Sequence, residues 1–382
     1  MPEPTTSTAE GRQRRTARDT APHASPSPRA PDPAPDAAVA LTARRLRDAR
    51  RRANRRTLLV ACVLAAALVG LLACSLLLGG LRGIAGQDVV PAAFGRRTGL
   101  ADYVVHRIRM PRALAALLSG ALFGLSGALY QRLIRNPLAT PDIVGISAGS
   151  GAGAVTVLLF AAELPFGVEL GALGGSFAMV AVLLALSRRA GRVDTYRLVL
   201  IGIGLAAVCT AYVDYLLTMA GEQSRTQMLR WLVGSVSGAD WDGVTTLAAG
   251  LAACLLAAAP LGRALGALAV GDQLAAGLGT RVGAARTATL LLGAAAAALA
   301  TSVTGPIGFV SLVSGPIAAR LVGADRAVGL AVPVGAVIVL AADVAAQHAP
   351  QISPVPTGVL TALLGAPYFV WLILRRGPGA PS

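Results

Sequence analysis

Apolar runs of about 20 residues, each long enough to cross the hydrocarbon core of a membrane as a helix, recur from residue 57 almost to the end of the chain. Only 14% of the residues are charged, compared with roughly 25% in soluble domains. The sequence therefore predicts an all-α polytopic membrane protein with about ten transmembrane helices. The predicted spans are residues 57–79, 111–131, 143–161, 168–187, 196–219, 243–261, 285–303, 306–323, 327–346 and 356–374.

All 34 basic residues are arginine, and the chain contains no lysine. A nucleotide-binding P-loop requires a lysine, so any ATP-driven step depends on a separate ATPase chain. The four cysteines lie in apolar spans without metal-ligand spacing, and the arginines are not interleaved with aromatic residues as they are in nucleic-acid-binding proteins. We therefore expect no catalytic residue, no cofactor or metal bound by this chain, and no nucleic-acid partner.

The first 56 residues differ in composition from the rest of the chain. Residues 1–40 are rich in Pro, Ala, Ser, Thr and Asp, which predicts disorder, and eight arginines follow between residues 44 and 56. If this tail is cytoplasmic, 26 arginines lie on the inner side and 8 on the outer side, the bias that membrane proteins show. We predict a disordered cytoplasmic tail (1–56), a membrane domain (57–376) and a short C-terminal tail (377–382), with both termini cytoplasmic.

The connection between the second and third spans is unusually polar. Asn136-Pro137 and Thr140-Pro141 both disfavour helix, so the backbone is interrupted twice within six residues. A ladder of glycines with a spacing of four then places bare backbone on one helix face, where a second helix can approach closely. The ladder consists of Gly145, Gly149 and Gly153. This pattern predicts a tightly packed element at one end of the bundle and is typical of a transporter.

The inner loop at residues 262–284 contains a second distinctive pattern. Gly271-Asp272 is a good helix start with Asp272 as the N-cap, and Gly277 and Gly279 are natural stops. Two short helices are therefore expected on the cytoplasmic face. They would present Leu265, Leu268, Leu274 and Leu278, and exposed apolar side chains favour a partner. From these residues alone, a docking element for an ATPase and a simple amphipathic connector are equally supported.

Further motifs follow one another in order through residues 57–376. They are Arg109-Met-Pro-Arg112, Ser126-Gly-Ala128 leading to Gln131, the run from Arg135 to Gly149, Trp231-Leu-Val-Gly-Ser235 with Trp241, the segment from Leu268 to Leu278, Gly305-Pro-Ile-Gly-Phe-Val310, Asp343, Pro356-Thr-Gly358 and Gly365-Ala-Pro-Tyr-Phe369. With these motifs the chain resembles the FecCD-type permease subunits of ATP-binding-cassette (ABC) importers for iron–siderophores, haem and cobalamin.

The resemblance implies a bundle like that of the cobalamin-importer permease, in a bacterial plasma membrane. It implies three kinds of partner: a second permease subunit, identical or different, two ABC ATPase subunits that bind ATP and Mg²⁺, and an extracytoplasmic substrate-binding protein. The substrate would be a ferric siderophore, taken up by alternating access. The same-family alternative is haem or cobalamin, and the alternative from another class is a secondary transporter driven by an ion gradient.

The resemblance also implies roles for individual residues. The short helices at about 264–281 resemble coupling helices that rest on the ATPases, with Leu268, Gly271, Asp272, Leu274, Leu278 and Gly279 as candidates. Arg109 and Arg112 resemble outward-facing arginines that receive acidic residues of the binding protein. The expected pathway or hinge residues are Gln131, Asn136, Pro137, Pro141, Gly145, Gly149, Gly305 and Pro306.

Two positions depart from the pattern of this family. Gly315-Pro316 follows Val310 where the family often has Pro-His or Pro-Gln, and Gln347 stands where an arginine is common. Asp214 and Asp343 are the clear acidic residues within predicted spans, and such residues usually face protein or water. A proton-coupled carrier would be expected to show a denser relay of titratable groups.

Overall fold

The computed structural model describes residues 35–78, 91, 99–189, 192–193, 195–348 and 355–374. Their helices are α1 (Pro35–Leu78), α2 (Leu100–Ile134), α3 (Ile146–Phe160), α4 (Gly167–Ser187), α5 (Thr195–Met219), α6 (Glu222–Val233), α7 (Trp241–Val270), α8 (Asp272–Gly277), α9 (Val282–Thr304), α10 (Val310–Val322), α11 (Ala327–His348) and α12 (Thr357–Leu374). A π-helical turn at Val105–Arg109 lies within α2, and a 3₁₀ turn at Ala324–Arg326 precedes α11.

The all-α class is confirmed. Within the described ranges, seven helices are long and apolar enough to cross a membrane, and three shorter apolar helices lie at Ile146–Phe160, Val310–Val322 and Thr357–Trp371. These ten helices coincide with the ten predicted spans. The described chain adds one antiparallel pair of two-residue strands, β1 (Arg188–Arg189) and β2 (Arg192–Val193).

The chain divides into two units, residues 1–52 and residues 53–382. In the first unit, the described residues belong to the N-terminal part of α1, and most of its described arginines are exposed. Residues 35–56, which we expected in a disordered tail, are helical, because this arginine- and alanine-rich stretch consists of good helix formers. Residues 1–34 of the predicted tail, and residues 375–382 at the C-terminus, lie outside the described residues.

In the second unit, α2 is the central helix. Its apolar window is 83% buried, and it packs against α7, α9, α10 and α11. The contact with α11 is close because glycines face each other: a Cβ atom at Gly120 would lie 2.4 Å from the carbonyl oxygen of Gly335. Lipid provides little hydrophobic drive between helices, so such backbone contacts supply packing that larger side chains would prevent.

The glycine ladder of α3 forms a second close contact, with α4. A Cβ atom at Gly153 would lie 2.0 Å from the carbonyl oxygen of Gly171, and one at Gly175 would lie 2.1 Å from that of Gly149. Gly145 differs from the prediction. It precedes α3 as its N-cap with φ of 86°, a conformation that favours glycine, and faces Met179 and Gly202. The predicted close helix approach is therefore confirmed for Gly149 and Gly153.

Candidate functional site

Four segments that the sequence places on the inner side meet at one end of the bundle. Arg56 donates to the carbonyl oxygen of Arg320 at 3.1 Å, and Arg326 donates to Asn54 Oδ1 at 2.8 Å. Arg132, near the end of α2, donates to Asp325 Oδ1 at 3.0 Å and to the carbonyl oxygen of Ala324 at 2.7 Å. The fourth segment is the 268–286 region, which contacts Arg135. We call this end, with its arginines, the basic end.

An ion-pair cluster connects two of these segments, the end of α2 and the 268–286 region. The Asp272 carboxylate lies 3.0 Å from Arg286 Nη2 and 3.5 Å from Arg135 Nη2. Arg135 also donates to the carbonyl oxygen of Leu268. The Asp272 triad (Arg135, Asp272 and Arg286) thus joins the end of α2 to α8 and to the N-terminal part of α9. Asp272 is 47% exposed and Arg135 is 48% exposed, so water screens these pairs.

The coupling segment differs from its prediction in two respects. Instead of two short helices there is one short helix, α8, because α7 continues to Val270. Gly271, at φ 123°, is the N-cap of α8, and Asp272 is its first residue. Helix α8 ends at Gly277, and Gly279 follows at φ 80°, both as predicted.

The leucines of this segment divide between interior and surface. Leu265 and Leu268 are buried, so the expectation that they are presented to a partner is wrong: the extended α7 turns them towards the interior, where Leu268 packs with Ala275 and Ala285. Leu274 and Leu278 are exposed by 55% and 69%. A cleft of about 440 Å³ lies beside α8, lined by Asp272, Gln273, Thr280, Arg281 and Arg286 among others. Apolar exposed side chains beside a polar cleft favour a protein partner.

The polar connection between α2 and α3 is held by hydrogen bonds to α10 and by a local turn. Gln131 Nε2 donates to the carbonyl oxygens of Ser311 and Leu312, at 3.3 and 3.0 Å. Asn136 is exposed, and its Oδ1 accepts from the Leu138 amide at 3.0 Å, which forms a local turn. Pro137 is half-buried and Pro141 is buried. The segment is therefore a folded element and not a simple loop, as its two X-Pro pairs indicate.

Asp142 accepts two hydrogen bonds in this connection. Its Oδ1 accepts from Ser147 Oγ, and its Oδ2 accepts from Ser311 Oγ at 3.3 Å. Burial raises the pKa of the Asp142 carboxyl above its ordinary value, and the hydrogen bonds from Ser147 and Ser311 lower this pKa in part. The carboxyl thereby links the start of α3 to the start of α10.

A cleft of about 410 Å³ opens beside this connection. Gln131, Arg132, Arg135 and Pro137 line one side of it, and α10 supplies Gly315 and Pro316 on the other. At Gly315 a Cβ atom would lie 1.9 Å from Gln131 Oε1, so this departure from the family pattern provides the space for the Gln131 amide. The cleft brings together two of the predicted pathway residues, Gln131 and Pro137, and the Arg135 side of the Asp272 triad.

Three glycine-containing breaks, far apart in the sequence, meet elsewhere in the bundle. A Cβ atom at Gly234 would lie 2.4 Å from the carbonyl oxygen of Pro306, and one at Gly358 would lie 2.0 Å from that of Val233. The Gly358 amide donates to the carbonyl oxygen of Gly234 at 3.1 Å. Gly305, at φ 68°, follows the end of α9 that lies opposite Arg286. Gly305 and Pro306 therefore belong to this group of breaks, whereas Gln131 and Pro137 line the 410 Å³ cleft.

A buried network joins four helices near these breaks. Asp343 is fully buried and accepts a bidentate pair of bonds from Arg112, at 2.9 to 3.1 Å. Thr357 Oγ1 donates to Asp343 at 3.1 Å, and Gln347 Nε2 donates at 2.7 Å. Gln347 also reaches Ser75 Oγ of α1 at 3.4 Å. We call Arg112, Asp343, Gln347 and Thr357 the Asp343 network.

The two predicted docking arginines are both engaged within the subunit. Arg109 is buried and donates to the carbonyl oxygen of Leu76 at 2.6 Å. Arg112 is bound to Asp343, and 19% of its side chain is exposed. Their role towards a binding protein stays a prediction. The departure at Gln347 has a structural use, because its amide supplies one of the donors that Asp343 needs.

Sequence reasoning missed the residues whose partners are distant in the chain. Arg135 and Arg286 were counted as inner-loop charges and not as partners of Asp272. Asp142 stands in the quoted Pro-Asp-Ile-Val-Gly motif, but its acceptor role depends on Ser311, 169 positions away. Helix α6, between the fifth and sixth spans, was not predicted. Among the described residues, no three His, Cys, Asp or Glu side chains form a cluster that could hold a metal ion.

Comparison with known families gives one match over most of the chain. The model of the FecCD transport family matches residues 54–375. This range includes α2 to α12, the Asp272 triad, the Asp343 network and both clefts.

Individual relatives agree with this match. The Fe(3+)-citrate import system permease protein YfmE of Bacillus subtilis is 35% identical over 84% of this chain and 96% of its own length. The ferric enterobactin transport system permease protein FepG of Escherichia coli is 36% identical over 76% of this chain and 88% of its own. Relatives named as hemin and vitamin B12 permeases are 37% and 36% identical.

A solved structure shows the same fold. It is described as an inward-facing conformation of a metal-chelate type ABC transporter, and it matches with a TM-score of 0.71 and 26% sequence identity. The match covers 83% of this chain and 99% of that chain.

Proposed function

The chain belongs to the FecCD transport family, and from this premise we propose that it is the permease subunit of an ATP-driven importer of ferric siderophores. Family membership alone makes it an integral membrane permease of the ABC importers that serve siderophores, haem and cobalamin. The observation that carries the proposal is the family match over residues 54–375. The iron-chelate cargo is supported by the names of YfmE and FepG.

We propose that the ATPases dock at the basic end, against α8. The exposed Leu274 and Leu278 provide an apolar contact, and the polar cleft beside them provides room for a partner side chain. Through the Asp272 triad, a displacement of α8 would act on Arg135 at the end of α2 and on Arg286 at the start of α9. ATP and Mg²⁺ would be bound by the ATPases, because a P-loop needs the lysine that this chain lacks.

The basic end also supports a proposal for how the chain is oriented in the membrane. The segments gathered there carry the arginines that the positive-inside rule assigns to the cytoplasm. We propose that the basic end and both termini face the cytoplasm of a bacterial cell. The extracytoplasmic binding protein would then dock near the Asp343 network. Because Arg109 is buried, direct contact would involve the exposed part of Arg112.

The complex would contain a second permease subunit, identical or different, and the chelate would pass between the two. Iron would travel as substrate inside its chelator, without protein ligands. Helix rearrangement between inward- and outward-open states would be biased by ATP on the partner chains.

The test is uptake of labelled ferric siderophores, haem and cobalamin by iron-limited cells that lack this chain. Restoration of ferric siderophore uptake by the wild-type chain alone would support the cargo. Selective restoration of haem or cobalamin uptake would contradict it and favour the same-family alternative. Pull-down of the solubilised chain should also recover an ATPase, whereas uptake that survives loss of that ATPase would contradict the mechanism.

A charge-inverted variant tests the docking site on α8. Asp272→Arg should reduce uptake and ATPase recovery roughly tenfold or more, because it places a third arginine between Arg135 and Arg286. Asp48→Arg is the matched control: it makes the same charge change at an exposed position of α1, where the described chain shows no ion pair. Full activity of Asp272→Arg would contradict the proposed role of this segment.

A further inference from the structure

The face of α5 that points away from α3 and α4 is uncovered in this subunit. Its buried side is formed by Leu198, Val213 and Leu216, whereas only 17% of the apolar window Tyr196–Met219 is buried. A helix with so little contact in its own chain faces lipid, a partner or water when it lies in a membrane.

The uncovered face changes character along the helix. Its first half carries Leu200 and Ile203, which are exposed by 59% and 53%. Its second half carries Thr210, Asp214 and Thr218, all exposed and four residues apart, so they form one stripe. We call these three residues the polar stripe of α5.

The hydroxyl groups of the stripe are satisfied locally, but the carboxylate is not. Thr210 Oγ1 donates to the carbonyl oxygen of Ala206 at 2.9 Å, and Thr218 Oγ1 donates to that of Tyr215 at 2.6 Å. Within the described ranges, Asp214 has neither a hydrogen-bond partner nor an ion-pair partner. This contrasts with Asp142, Asp272 and Asp343, each of which is bound by neighbouring side chains.

Lipid is a poor environment for this stripe. A charged side chain within a span is costly in hydrocarbon and is normally found facing protein or a water-filled cavity. The exposed side of α4 shows what a lipid-compatible face looks like in this chain, with Leu170, Phe177 and Leu186 exposed by 65%, 51% and 52%. The three positions of the polar stripe carry no large apolar side chain, although Val208, Tyr215 and Met219 beside them are exposed by 66%, 58% and 58%.

A symmetric contact with a second copy is also unfavourable for the stripe. A two-fold axis through it would bring two Asp214 carboxylates together, and like charges at close range repel. Water solvates a carboxylate at this position, and the transport passage is a water-filled space that a span of the bundle can face.

We propose that Asp214 lines the aqueous passage and selects chelates by charge, favouring neutral or cationic ferric chelates over anionic ones. This rests on the proposed import function. Hydroxamate-type ferric chelates without net negative charge fit this preference, whereas ferric polycarboxylates and catecholates carry negative charge and are repelled. With an effective dielectric constant of about 40 in a partly hydrated passage, one unit of charge on each partner changes the passage rate by about six-fold at about 8 Å and by about thirty-fold at about 4 Å.

The transport test compares two labelled cargoes in the full complex. One is a neutral ferric trihydroxamate, which the proposal favours, and the other is anionic ferric citrate, which it disfavours. Asp214→Asn should lower the ratio of trihydroxamate to citrate uptake by about five-fold or more. Glu222→Gln, which removes an exposed carboxylate at the start of α6, should leave the ratio unchanged. An unchanged ratio in Asp214→Asn would overturn the charge selection.

An independent measurement tests whether the position faces water. Asp214→Cys is made in a chain whose four native cysteines are replaced by alanine or serine, with Leu170→Cys as a lipid-facing control. A membrane-impermeant thiol reagent should label position 214 in the assembled complex, and ferric trihydroxamate should slow the labelling, while position 170 stays unlabelled. Equal labelling of both positions, or none at 214, would overturn the proposal even where a variant transports poorly.

The two experiments separate the possible failures. If the wild-type chain restores uptake of no ferric chelate, the proposed function fails and the charge selection fails with it. If the wild-type chain restores uptake and Asp214→Asn leaves the ratio of trihydroxamate to citrate uptake unchanged, only the charge selection fails.

Discussion

Asp343 and Asp272 are both bound by arginine, yet their surroundings differ. Asp343 is fully buried and accepts from Arg112, Gln347 and Thr357, while Asp272 is 47% exposed and lies between Arg135 and Arg286. A buried charge that loses its partner is strongly destabilising, whereas exposed pairs contribute little to stability. The comparison teaches that the Asp343 carboxylate holds helices in place, while the ion pairs of Asp272 can break and re-form during a transport cycle.

The largest expected effect comes from removing the buried Asp343 carboxylate. Asp343→Ala leaves Arg112 without its carboxylate and Thr357 without an acceptor, and should destabilise the subunit by about 3 to 5 kcal/mol. Thermal unfolding of the purified protein in detergent measures this. Asp48→Arg should unfold like the wild type, and an Asp343→Ala protein as stable as the wild type would contradict the role of the network.

In the exposed Asp272 triad, substitution should affect transport more than stability. Asp272→Arg should reduce uptake roughly tenfold or more, since three arginines then face one another, while the unfolding free energy changes by about 1 kcal/mol or less. Uptake and thermal unfolding are measured on the same preparation. A large loss of stability would show that the Asp272 triad is a structural element like the Asp343 network, and the comparison would collapse.

Much of the fold was predictable from the sequence, because apolar length fixes a membrane span whatever its partners are. All ten predicted spans coincide with helices, and the close approach of α3 to α4 follows from the spacing of Gly149 and Gly153. The networks were not predictable, since Arg112 and Asp343 lie 231 positions apart and nothing local indicates their pairing. The burial of Leu265 and Leu268 was missed because it depends on how far α7 extends.

Exchanging the charges of Asp272 and Arg286 distinguishes the effect of their ion pair from the effect of the α8 surface. In Asp272→Arg with Arg286→Asp, the ion pair is restored in reverse, so uptake should recover to about half of wild type or more if pairing matters most. The double variant is compared with each single variant in the same cells. Without recovery, the surface of α8 and not the pair determines the effect of Asp272→Arg.

The smallest effect concerns Asp142, which lies between the two extremes. Burial raises its folded-state pKa, so its charged form opposes folding above its ordinary pKa of 3.8, and this penalty disappears as the pH falls towards that value. Asp142→Asn should therefore gain up to about 1 kcal/mol of stability at pH 7 relative to the wild type, and nothing at about pH 4. Thermal unfolding across this range measures the difference, and a gain that is independent of pH would contradict the burial effect.

The backbone contacts of α2 with α11 and of α3 with α4 have a mechanical consequence. Where carbonyl oxygens occupy the place of a missing Cβ atom, two helices cannot slide or roll without a steric clash, so each pair behaves as one stiff plate. The chain joins the two plates through residues 135–145, and its prolines keep that joint from becoming a helix. We expect displacement during transport to concentrate in this short joint, leaving the plates themselves undeformed.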